Sequence, residues 1–131
     1  MFLSARRFKT DIADMAADSE AILGLRPVTF HYKPELDKTG IPRFGLVAEE
    51  VEAINPDLVT RDKEGKVTTV RYEAVNAMLL NEFLKEHCKN QQQEATIARL
   101  EKQIEVLAQG LQKVNAELES TERAQQVAFD R

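Results

Sequence analysis

The sequence predicts an α+β protein: a small mixed head of short helices and β-hairpins, then a long C-terminal α-helix forming a parallel coiled coil. Three observations predict it. All four prolines (Pro27, Pro34, Pro42, Pro56) and four of the five glycines (Gly24, Gly40, Gly45, Gly65) precede Tyr72, whereas residues 72–131 hold no proline and only Gly110. Proline and glycine punctuate turns, so the first part is expected to be compact and the rest one helix. From Ile97 the apolar residues run Ile97, Leu100, Ile104, Leu107, Leu111, Val114 and Leu118, in steps alternating between three and four. That spacing is a heptad, with Ile97, Ile104, Leu111 and Leu118 at a and Leu100, Leu107 and Val114 at d. Within the head, "PVTFHYK" sets Val28, Phe30 and Tyr32 on one side and Thr29, His31 and Lys33 on the other, the period of a half-buried strand. The expected division is a head over residues 1–71 and a long helix over 72–131, with the coiled coil at about 90–128.

Each element has its own signal. "DSEAILGL" offers Asp18 or Ser19 as an N-cap and Gly24 as a stop, so a short helix fits. "ELDKTGIP" is a turn-rich loop. "RFGLVAEEVEAI" begins as a short apolar strand, becomes helical around Ala48 and ends before "NPD". Glu49 and Glu50 open that helix, where the dipole favours carboxylates. "LVTRDKEGKVTTVRY" is two β-rich runs around "DKEG", a hairpin with Gly65 in the turn. The expected core is Phe30, Tyr32, Leu46, Val47, Val51, Ile54 and Leu58, with Val75 and Leu79 from the start of the long helix. The broader apolar set from Tyr72 to Leu84 is expected to pack on the head.

Composition narrows the function. The chain has 131 residues and a net charge of −4, against the basic face of a nucleic-acid binder. No apolar run reaches the length of a membrane span, and "MFL" is too short for a signal peptide. One cysteine, Cys88, excludes an internal disulfide, and His87–Cys88 has no second pair at zinc spacing. No cofactor and no metal are expected. A head of roughly seventy residues is marginal for an independent core, and a helix with such a seam cannot bury it alone. Self-association through the seam is the expected solution; folding back on the head is the alternative. Ile at a with Leu at d favours dimers, whereas Leu111 at a with Val114 at d does not follow that rule, so the seam leaves the strand number open. Asn90 and Gln93 extend the register towards the head with polar residues.

Four pieces in order carry a resemblance: "SARRFKTDI", "AILGLRPVTFHYK", "FGLVAEEVEAINPDLV" and "VRYEAVNAMLLNEFLKE" before a coiled coil. Together they resemble the C-terminal intramolecular chaperone domain of phage endosialidases, tail fibres and tailspikes, peptidase family S74, over about residues 4–110. The resemblance implies a homotrimer, an upstream or covalently linked fibre or adhesin client, and self-cleavage just before a serine with a lysine as base. The family pattern resembles Ser-Asp-x-Arg-x-Lys, matched here by Ser4, Arg7 and Lys9, with Ala5 where the family commonly has Asp. It implies Ser4 as nucleophile, Lys9 as general base, Arg7 in support, and Leu3–Ser4 as the bond cut, either by an N→O shift or by water. It also implies a virion or cell-surface location when joined to a longer protein, and the cytoplasm after release. Cleavage here would release only the tripeptide Met1–Leu3, so the sequence reads as a fragment of a longer gene, a separate start, or the released product with extra residues.

The chemistry agrees: a serine hydroxyl needs a base, and a lysine is one only when desolvated or set beside cations such as Arg6 and Arg7. Regular structure does not bring the pair together. In a strand, Ser4 and Lys9 stand roughly 17 Å apart on opposite faces, and in a helix about 140° apart, so a bend or a second subunit must close the gap. A non-catalytic coiled-coil oligomerisation or interaction module is the alternative function.

Overall fold

The computed structural model describes residues 3–130. The chain divides into two compact units, Met1–Lys85 and Glu86–Arg131. Among the described residues the first holds four short strands, β1 (Val28–Phe30), β2 (Arg43–Gly45), β3 (Val59–Arg61) and β4 (Val67–Val70), and the helix α1 (Ala48–Ile54). It also holds 3₁₀ segments at Arg6–Phe8, Ala16–Gly24 and Pro56–Leu58, and the beginning of α2 (Tyr72–Phe129). The second unit is the remainder of α2. The architecture is therefore mixed: short helices, two small antiparallel hairpins and a long C-terminal helix.

The hairpins form where local chemistry demands them. β3 and β4 pair antiparallel, Val59 opposite Val70, with a register irregularity between Thr60 and Arg61. Asp62 closes the turn: its Oδ1 accepts the amides of Glu64 and Lys66, each at 2.9 Å. Gly65 takes φ +82°, a conformation that costs glycine nothing. β1 and β2 pair with Val28 opposite Gly45 and Phe30 opposite Arg43. A Cβ at Gly45 would stand 2.8 Å from the Tyr72 hydroxyl and 3.3 Å from the Phe30 ring, so no side chain fits without a shift. The Tyr72 hydroxyl accepts the Leu46 amide at 3.0 Å, which ties the start of α2 to the end of β2.

Among the described residues five apolar side chains are buried: Val51 of α1, Leu58 of the 3₁₀ segment before β3, Val59 and Val70 of the second hairpin, and Met78 of α2. Met15, Ile22, Leu25, Leu46 and Val75 pack around them, partly buried. Several expected core residues lie elsewhere. Phe30 is half-buried, and Tyr32, Val47, Ile54 and Leu79 are exposed. The reason is the size of the first sheet, two strands of three residues, whose face covers little; Tyr32 lies beyond β1 and meets Phe30 edge to face at 5.2 Å. The energetic weight moves to the second hairpin and the 3₁₀ segment that leads into it. Leu58→Ala is expected to destabilise the fold by about 2–5 kcal/mol, read as a fall in the urea midpoint, with a smaller loss for Phe30→Ala.

The expected packing of the apolar set from Tyr72 to Leu84 is also corrected. Only Met78 is buried and Ala74 and Val75 partly so, while Leu79, Leu80, Phe83 and Leu84 are at least half exposed. The covered stripe turns polar as it climbs the helix, passing from Val75 and Met78 to the partly covered Asn81, Glu82 and Lys85. The 3₁₀ segment Ala16–Gly24 explains this. Its N-cap is Met15, with no side-chain cap bond, and Ser19 lies inside the segment, wholly buried, instead of capping it.

Candidate functional site

The N-terminal segment folds on a single tight turn. The Phe8 amide donates to the Ala5 carbonyl and the Lys9 amide to the Arg6 carbonyl, both at 3.0 Å, which makes Arg6–Phe8 one turn of 3₁₀ helix. This turn is neither strand nor α-helix, and it closes the gap that either would leave. Lys9 Nζ donates to Ser4 Oγ at 3.4 Å, within one chain. The Arg7 guanidinium lies over the Phe8 ring, 4.4 Å from its centroid, a cation–π contact. Leu3, on the acyl side of the bond before Ser4, is 55 % exposed. Ser4, Arg7 and Lys9 are exposed as well. The turn thus brings a hydroxyl and an amine together, in the open, beside an accessible peptide bond. With the amine neutral, the same contact runs the other way, the hydroxyl donating to the nitrogen, which is the first step of general-base catalysis.

The seven seam residues stand in order along the second unit, each exposed: Leu100 least at 46 %, Leu107 most at 72 %. No helix among the described residues is long and apolar enough to cross a membrane. No group of three or more His, Cys, Asp or Glu among them could hold a metal ion.

One cluster gave no signal in the sequence. Ser19 Oγ donates to Glu82 Oε1 at 2.5 Å and accepts from Asn81 Nδ2 at 2.7 Å. Asn81 Nδ2 also donates to the Ala16 carbonyl at 3.0 Å. Lys85 Nζ bonds the same Glu82 oxygen at 2.7 Å and reaches Glu20 at 3.6 Å. The Ser19, Ala16, Asn81 and Glu82 contacts join residues more than sixty positions apart in the chain, so no local pattern announces them.

The Lys85 ammonium, and after it the Ser19 hydroxyl, hold the Glu82 carboxyl below its ordinary value of 4.5. A carboxylate whose native value is depressed contributes stability that is complete above the unfolded value and is lost as pH falls through the native one. Asp37 behaves likewise, lowered from 3.8 to about 2 by the Thr39 hydroxyl and then by Arg43. Stability is therefore expected to drop below about pH 4.5. Glu82→Gln, which keeps an acceptor for Ser19 but cannot titrate, should flatten the upper part of that drop and leave the Asp37 part. Thermal midpoints measured across acid pH check this.

The comparison with protein families covers the first three of the four motifs; the fourth, at 70–86, and the helix that follows lie outside the match. Residues 4–60 match the Peptidase_S74 family, chaperone of endosialidase, from Ser4 into β3. No curated protein matches the chain. The match supports a chaperone role for this part of the chain. The match begins at the serine of the turn and supports a chaperone-of-endosialidase domain, Peptidase_S74, over residues 4–60.

Proposed function

We propose that the chain is an intramolecular chaperone that gathers three copies of an upstream fibre-like client and then releases itself by cutting between Leu3 and Ser4. The observation that carries the chemical half is the approach of Lys9 Nζ to Ser4 Oγ across a single turn. Lys9 takes the hydroxyl proton, and Ser4 Oγ attacks the Leu3 carbonyl carbon. The C–N bond breaks as the Ser4 nitrogen takes the proton from Lys9. Water then hydrolyses the resulting ester, freeing the Leu3 carboxylate and restoring the Ser4 hydroxyl. Arg7 supports the oxyanion or holds the turn.

The assembly half rests on the family match and on the exposed seam from Ile97 to Leu118, which needs partner helices for burial. The two halves are linked by desolvation. A lysine serves as base once it is stripped of water or set beside cations. Lys9 is exposed in the single chain, so partner subunits must cover it, and cleavage follows assembly. A non-catalytic assembly module would share the seam and leave the Ser4–Lys9 contact idle. A chain extended upstream by a fibre-like segment separates the two readings. Mass spectrometry should find a fragment beginning at Ser4, and an intact chain in demonstrated trimers would leave assembly alone.

A further inference from the structure

Every residue from Leu3 to Asp14 is exposed, so the turn carrying Ser4 and Lys9 is anchored through the residues on its C-terminal side. The first side chain to reach the core is Met15, and the next residue, Ala16, has φ +48°, a conformation that L-residues rarely adopt and that surroundings must enforce. Its surroundings are polar and come from α2. Asn81 Nδ2 donates to the Ala16 carbonyl at 3.0 Å and to Ser19 Oγ at 2.7 Å. Ser19, with no exposed surface, donates its own proton to Glu82 at 2.5 Å. These bonds tie the segment after the turn to α2, the helix that bears the seam.

We propose that Asn81 and Ser19 form a latch through which α2 positions the N-terminal segment, so that joining of the helices places the Ser4–Lys9 turn for cleavage. The proposal rests on the self-cleavage reading for its functional consequence, but its structural part stands apart from it. Asn81 has no role in the chemistry itself; it acts through the backbone at Ala16 and through Ser19. A buried hydroxyl that accepts from one residue and donates to the next has a single satisfied orientation, so losing either neighbour frees the segment.

The test uses the full chain extended upstream, with Asn81→Ala, Asn81→Asp and Ser19→Ala. Asn81→Asp keeps the size of the side chain and removes both donated bonds. Two quantities are read: amide hydrogen exchange, and the cleavage rate as a function of pH. In each variant, exchange should speed up at Asp18 and Leu25, whose amides are bonded within or just after the 3₁₀ segment, and stay unchanged in β3 and β4. The plateau of cleavage should fall roughly tenfold to a hundredfold, as misplaced reacting groups do, while the pH midpoint stays in place. A shifted midpoint would mean that Asn81 acts on the ionisation of Lys9 and would overturn the positioning role. Unchanged exchange in the Asn81 variants would overturn the latch whether or not the wild type cuts. Altered exchange in a chain whose wild type does not cut would uphold the latch while the self-cleavage reading fell.

Discussion

Replacing Leu107 with aspartate is expected to reduce the assembled chain to monomers. Leu107 occupies a d position midway along the seam and is the most exposed of its seven residues in the single chain. An isolated helix of this kind gains little from propensity and depends on burying its apolar stripe. In a parallel trimer the three copies of Leu107 meet in one layer, so the substitution places three carboxylates together in a dry seam. The penalty is several kcal/mol for each buried, unpaired charge, enough to reverse association at micromolar concentration. Sedimentation equilibrium should show a trimer for the wild type and a monomer for Leu107→Asp. Gln109→Asp, two residues on at an f position, is the control and should leave the trimer intact. A monomeric wild type would remove the assembly half of the proposed function.

The parts of this fold legible in the sequence are those set by short-range rules. The hairpin around "DKEG" is one: the Asp62 side chain satisfies two amides within four residues, and Gly65 supplies a positive φ. The start of α1 at Ala48 and the unpunctuated run of α2 are others. The features that escaped depend on partners far along the chain. Ser19 has the composition of a cap, and Asn81 and Glu82, brought to it from α2, make it a buried junction instead. Phe30 and Tyr32 follow the alternation of a strand, but alternation names a face and not its cover, and a sheet of two three-residue strands leaves that face half open. The candidate site shows the same limit in miniature. Ser4 and Lys9 were recognisable as a pair from the order of residues around them, yet regular helix or strand geometry keeps them apart. One turn of 3₁₀ helix, which has no periodic signature over three residues, brings them within 3.4 Å. The turn also removes one reason to require a second subunit, since a single chain supplies both groups. In the proposed function, coupling of cleavage to assembly then rests on the covering of Lys9 and on the placing of the turn through Asn81 and Ser19.

In the upstream-extended chain, Ser4→Ala and Lys9→Ala are each expected to abolish cleavage while trimers still form. Ser4→Ala removes the only atom that attacks in the proposed sequence, and Lys9→Ala removes its base. Loss of a nucleophile or its base costs several orders of magnitude in rate, so the full-length chain should persist. Lys9→Arg is the more discriminating change. It keeps the charge, the length and a donor for Ser4 Oγ, but a guanidinium does not give up its proton at working pH. An inactive Lys9→Arg chain therefore separates proton transfer from simple electrostatic support. In the wild type the rate should rise with pH until the lysine is neutral in the assembled state, then level off. Leu107→Asp should cut poorly, although its Ser4–Lys9 turn is intact, because no partner covers Lys9. Cleavage that survives Ser4→Ala would leave the assembly module alone. If wild-type trimers form and stay whole, Ala5→Asp, which restores the carboxylate common at this position in the family that the chain resembles, should restore cutting. A chain that remains uncut with Asp at position 5 keeps the Ser4–Lys9 turn without the proposed chemistry.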